Sequence, residues 1–118
     1  MASFDLRERT KEFALRVIRL VDSLPRTRSA GVIGKQLLRS GTSVGANYRA
    51  ACRAKSAADF VNKMAIVLEE SDESGYWMDL IVAAKLVPPK RLADLQTEAD
   101  ELVAICVSSI NTAKQRKR

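Results

Sequence analysis

The sequence predicts an all-α protein, an up-down-up-down antiparallel four-helix bundle. Three observations predict it. Apolar residues recur at spacings of three and four along most of the chain, the period of a helix face. Ala, Leu, Val, Arg, Lys and Glu dominate and aromatics make up 5%, a balance that favours helices over a β-sandwich. Pro25, Ser56 and Pro88-Pro89 cut the chain into four segments of helical length. The 118 residues suffice for one domain, 1–118, with a modest core.

The first helix is expected over about residues 5–23. Leu6, Phe13, Val17, Leu20 and Leu24 make one apolar stripe, Asp5 caps the start and Leu24-Pro25 ends it. The second helix is expected over 28–54, with Ile33, Leu37, Val44, Tyr48 and Ala51 toward the core. Its interior holds Gly34, Gly41 and Gly45, and a helical glycine costs up to about 1 kcal/mol against alanine. The expectation is that a neighbouring helix approaches closely there. The alternative is a helix broken near Gly41.

Ser56 caps a third helix, with Asp59 at the capping-box position, and Pro88-Pro89 stops it after Val87. At about 1.5 Å per residue this helix of 56–87 spans roughly 45–50 Å. Its expected seam is Phe60, Met64, Leu68, Ser71, Gly75, Met78 and Val82. The fourth helix, 89–114, carries a heptad-like stripe of Leu92, Leu95, Ala99, Leu102, Cys106 and Ser109 or Ile110. A basic end, 114–118, follows.

Composition excludes much chemistry. The chain has no histidine, so a Ser-His-Asp triad, a carboxylate–histidine di-iron site and an imidazole base are all ruled out. Gly41-Thr-Ser-Val-Gly45 matches a nucleophile-elbow pattern, but that motif needs a preceding strand and a histidine. Ser43 reads instead as a helix-packing residue. Gly31-Val-Ile-Gly34-Lys35 fails the spacing of a phosphate-binding loop. Glu70 and Glu73 could face a metal, but arginines of the second helix are the better partners. No enzyme activity, metal or cofactor is expected. No apolar run approaches the roughly 20 residues of a membrane span. The charged start is unlike a signal peptide, so a cytoplasmic protein is expected. Cys52 and Cys106 lack metal or redox spacing and read as core or near-core residues.

Charge carries the sharper signal. The net charge is +6, and from Ser23 to Ala58 there are seven cations and no acid. On a helical projection Arg28, Lys35, Arg39, Arg49 and Arg53 fall within about 80° of one another, opposite the apolar face. Asp59, Glu69, Glu70, Asp72, Glu73 and Asp79 on the third helix could neutralise them. The expectation is both: Arg39 inside the bundle or at an interface, the others partly exposed. The third helix also shows a second apolar group, Ile66, Trp77, Leu80, Ile81 and Ala84, on the side away from its seam. A second stripe containing Trp reads as a subunit interface.

Gln36-Leu-Leu-Arg39-Ser40-x-x-Ser43-Val44-x-x-Asn47, then Phe60, then Glu69-Glu-Ser-Asp-Glu-Ser-Gly-Tyr-Trp77, resembles the four-helix bundle family of 23S rRNA intervening-sequence proteins. The accessory variability protein of diversity-generating retroelements shares that fold group. The resemblance implies a bundle assembled into a barrel-shaped homopentamer. Arg39, Ser43, Asn47, Glu70 and Glu73 are the expected structural polar contacts. For the retroelement member it implies nucleic-acid binding and partnership with a reverse transcriptase. For most members it implies no established activity. Many members read Asn-Ile-Ala-Glu-Gly where this chain has Asn47-Tyr-Arg-Ala-Ala51, so the acid is lost, a cation is gained, and a polar contact made by that acid does not carry over.

The sequence therefore reads as a non-enzymatic, ring-shaped homo-oligomer that binds RNA or DNA through phosphates. Arg28, Lys35, Arg49, Arg53, Lys114, Arg116, Lys117 and Arg118 are the expected contacts, and Ile66, Trp77, Leu80 and Ile81 the expected interface. The alternative is a homo-oligomeric scaffold for a protein partner, with no direct nucleic-acid role.

Overall fold

The computed structural model describes residues 5–116. Four helices run up-down-up-down: α1 (Leu6–Asp22), α2 (Arg28–Ala51), α3 (Ala57–Ala83) and α4 (Pro89–Arg116). Successive helices pack on one another, α1 meets α4 only sparsely, and the bundle is 51 Å long. Among the described residues there is no strand, and no helix is long and apolar enough to cross a membrane.

Side-chain caps start three of the helices. Asp5 accepts a hydrogen bond from the Glu8 N–H, Thr27 from Ala30 and Ser56 from Asp59. Asp59 reaches back past the cap and accepts from the Lys55 N–H at 3.0 Å, so donors from both sides of the α2–α3 turn are satisfied.

Two helices end earlier than the sequence suggests. α2 stops at Ala51, so Arg53 lies in the turn beyond it and the helical projection does not place it. α3 stops at Ala83, four residues before Val87. Lys85 adopts a left-handed φ of 59°, its N–H donates to the Val82 carbonyl, and the Leu86 N–H donates to Ile81. This is a Schellman stop made without glycine. It turns the chain so that Val87 is buried before the prolines.

The core follows the expected stripes on α1 and α4. Phe13, Val17 and Leu20 are buried, as are Leu92, Leu95, Ala99, Leu102 and Cys106. On α3 the seam is Met64, Val67, Ser71, Ser74, Met78 and Ile81, alternating steps of three and four. Leu68, Gly75 and Val82 are half-buried beside it. Ile81 is fully buried in the core, so it is not an interface residue. A heptad seam drifts by about 20° per heptad against a straight helix. By Ile81 that drift has carried the core into the sector where a straight projection draws the outer stripe. The Cys52 side is likewise corrected: Cys52 is exposed and only Cys106 is in the core.

α2 packs closely on both of its neighbours, α1 and α3. A Cβ on Gly41 would lie 2.8 Å from both Val17 methyls, and one on Gly45 would lie 3.1 Å from Thr10 Oγ1. On the other side Ser40 and Ser74 are buried with their hydroxyl oxygens 3.0 Å apart. The unbroken α2 uses its small residues to bring α1 and α3 in together.

Candidate nucleic-acid interface

The exposed side of α2 carries Arg28, Lys35, Arg39 and Arg49. Because α2 buries its other faces against α1 and α3, long cationic side chains can extend only outward. They behave differently. Arg39 leans toward α3, where it binds Glu70 at 3.1 Å and also Glu73. Trp77 Nε1 donates to the same Glu73 carboxylate at 2.9 Å. The Trp77 N–H, then Arg39, hold the Glu73 carboxyl below its usual range. Arg39 is therefore at the surface with its side chain 47% exposed, not inside the bundle.

Arg28, Lys35, Arg49 and Arg53 are exposed and make no ion pair among the described residues. The acids that face α2 are taken up by Arg39, and Asp59 is paired with Lys63 at 2.8 Å. Asn47 and Ser43 serve α2 itself: Asn47 Nδ2 donates to the Ser43 carbonyl at 2.9 Å and lies 3.2 Å from Ser43 Oγ.

Antiparallel packing gathers further cations at one end of the bundle. The start of α1 lies there with Arg7 and Lys11, the end of α2 with Arg49, and the α2–α3 turn with Arg53 and Lys55. The last turn of α4 adds Lys114 and Arg116. Lys117 and Arg118 lie outside the described residues. Between α1 and α2 a groove of about 440 Å³ has Arg7, Lys11 and Arg49 in its walls. Sequence reasoning passed over Arg7 and Lys11 because Glu8 and Glu12 alternate with them. Their i, i+4 spacing, with Ala14 continuing the same face, is the signal that could have found them.

The outer face of α3 presents exposed Ile66 and half-buried Trp77 and Leu80. Tyr76 is 55% exposed and stands edge-on to Trp77, ring centres 5.0 Å apart. Tyr48 is half-buried, and burial, helped by the adjacent Cys52, pushes its phenol up to about 12. Neither Tyr48 nor Trp77 is placed as a free platform for base stacking. Among the described residues no three His, Cys, Asp or Glu side chains cluster as metal ligands.

The family model of the 23S rRNA-intervening sequence protein matches residues 3–108. The chain belongs to that family. A crystal structure of a protein of unknown function from the S23 ribosomal protein family of Bacteroides thetaiotaomicron superposes with a TM-score of 0.82 at 36% identity. The match covers 88% of this chain and 96% of the Bacteroides chain. No curated protein matches. The family match takes in Arg7, Lys11 and the whole α2 stripe, whereas Lys114 and Arg116 lie beyond it.

Proposed function

We propose that this 23S rRNA-intervening sequence protein is a non-enzymatic nucleic-acid-binding bundle that contacts backbone phosphates, largely without regard to sequence. One observation carries the reading. Arg28, Lys35, Arg49 and Arg53 stay exposed and make no ion pair among the described residues, while Glu70 and Glu73 of α3 go to Arg39 and Asp59 to Lys63. Cations left free on one side of a protein of net charge +6 form an attractive field for a polyanion. Phosphate contacts of this kind position a ligand without reading bases.

The same reading makes the active form a ring-shaped homo-oligomer, a pentamer on the family resemblance. Ile66, Trp77 and Leu80 supply the contact, and repetition of the basic face raises avidity. Replacing Trp77 with Ala and Ile66 with Glu is expected to move the mass from light scattering toward the monomer. An unchanged mass in that variant, or a monomeric wild type, defeats the ring.

Filter binding against duplex DNA, structured RNA and oligo-dT over a salt series tests the nucleic-acid role. Affinity for all three should fall steeply with salt, the log–log slope being about −0.9 per phosphate neutralised on a duplex. Glu at positions 28, 35, 49 and 53 together should weaken all three ligands and flatten the slope. No binding by the wild type at low salt favours the scaffold for a protein partner, which exposed Ile66 and Tyr76 beside Trp77 would serve.

A further inference from the structure

The groove between α1 and α2 differs from the rest of the basic face in having two walls. Arg7 and Lys11 stand on the α1 wall and Arg49 on the α2 wall, with Glu8 the single acid among the residues that line it. The floor is Thr42, Gly45 and Ala46, and no side chain there is longer than threonine. Beneath it Gly45 lets α1 close onto α2, since a Cβ there would lie 3.1 Å from Thr10 Oγ1. The Thr10 and Thr42 hydroxyls are already donated to the Leu6 and Leu38 carbonyls, at 2.6 and 2.7 Å. Charge, not hydroxyl donation, is what the groove offers. Arg7 and Lys11 lie on successive turns of one helix face, so they can reach adjacent phosphates of one strand. Arg53 and Lys55 are exposed in the α2–α3 turn that follows Arg49, at the same end of the bundle. No aromatic residue lines the groove, so bases have nothing to stack on.

We infer that this groove is the principal seat of the ligand, clamping the phosphodiester backbone of one nucleic-acid strand between Arg7 and Lys11 on one side and Arg49 on the other. The inference rests on the nucleic-acid reading above and goes beyond it by making one site matter more than the face as a whole. Fluorescence anisotropy with labelled duplex DNA at low salt, on the full chain, tests it. Arg7→Glu with Lys11→Glu and Arg28→Glu with Lys35→Glu change the net charge by the same amount. The groove pair should lose about tenfold or more in affinity and flatten the salt slope by about two contacts, while the distant pair loses about threefold or less. Ala46→Leu fills the floor without changing charge. Ala46 is exposed, so the variant should fold, and it too should lose about tenfold. Equal losses for the two charge pairs, with Ala46→Leu binding like wild type, overturn the groove and leave the basic-face reading standing. A wild type that does not bind overturns both.

Discussion

The α1–α2 seam and the α3–α4 seam are built from similar amphipathic helices, yet they differ in packing and in charge. At the first, Gly41 and Gly45 are pressed against Val17 and Thr10, and the groove outside is lined by Arg7, Lys11 and Arg49. At the second, Gly75 has nothing within 4 Å of where its Cβ would sit, and the groove outside is lined by Asp72, Asp79 and Asp100. A helical glycine is therefore a close contact on one side of this bundle and an open surface on the other. The +6 net charge is likewise not spread evenly. It resides on the α1–α2 side and at the ends, while the α3–α4 side is locally acidic.

The packing half of this comparison predicts the largest effect. Gly41→Ala places a methyl 2.8 Å from both Val17 methyls and 3.1 Å from its Cβ, so no rotation of Val17 relieves the clash. Val17 is fully buried and has no free space to move into. The helices must separate, an overpacking cost of about 1–3 kcal/mol that exceeds the gain of up to about 1 kcal/mol from helix propensity. Gly41→Leu should cost more still. Urea melts check both. A Gly41→Ala variant as stable as wild type breaks the claim that the missing Cβ at Gly41 is what lets α1 pack this closely on α2.

How much of this was legible in the sequence depends on the helix. α1 and α4 carry clean stripes with charged flanks, and most of the buried residues are on them; Thr10 is the buried exception on α1, and Leu6, Leu24 and Ile110 at the stripe ends are half-buried. α3 is different because its seam contains Ser71 and Ser74, while Leu68, Leu80 and Val82 sit outside it. Hydrophobicity alone does not mark which of these faces the core. The drift of the seam then decides it, and drift is a property of how helices coil around each other. The stop at Ala83 was hidden for another reason: Lys85 takes the left-handed position where glycine is usual. The free cations of α2 were visible as an acid-free run. The groove was not, since it exists only where α1 lies beside α2.

Intermediate effects sharpen the contrast from the other side. Gly75→Ala on α3 and Gly31→Ala on α2 meet nothing within 4 Å, so each should stabilise by about 0.5–1 kcal/mol through backbone entropy. Gly31 makes the control strict, because it shares a helix with Gly41 and should respond with the opposite sign. Lys85→Gly relieves the left-handed strain at the end of α3 and should raise stability by a similar amount, less the extra freedom of glycine in the unfolded chain. Thermal melts that rank these three at or below wild type would show that local backbone preference does not govern these sites.

The smallest effect concerns the charges that α3 does neutralise. The Trp77 N–H and Arg39 lower the Glu73 carboxyl from its ordinary 4.5, and Lys63 and the Lys55 N–H lower Asp59 from 3.8. Both groups bind protons less readily folded than unfolded. Their contribution to stability is therefore complete above the ordinary carboxylate range and is lost as pH falls through the depressed folded values. The Arg39–Glu73 pair is part-exposed, and surface pairs of this kind contribute only about 0–1 kcal/mol. Glu73→Gln removes the charge that Arg39 and Trp77 share. Its melting temperature should sit slightly below wild type at neutral pH, and the two curves should converge in acid. An Arg28→Gln variant, which removes a cation that has no acid partner and adds no titrating group, should give an acid limb parallel to wild type. If Glu73→Gln also runs parallel, the Arg39–Glu73–Trp77 contact contributes nothing to folding, and the division between a paired α3 face and an unpaired α2 face has no energetic content.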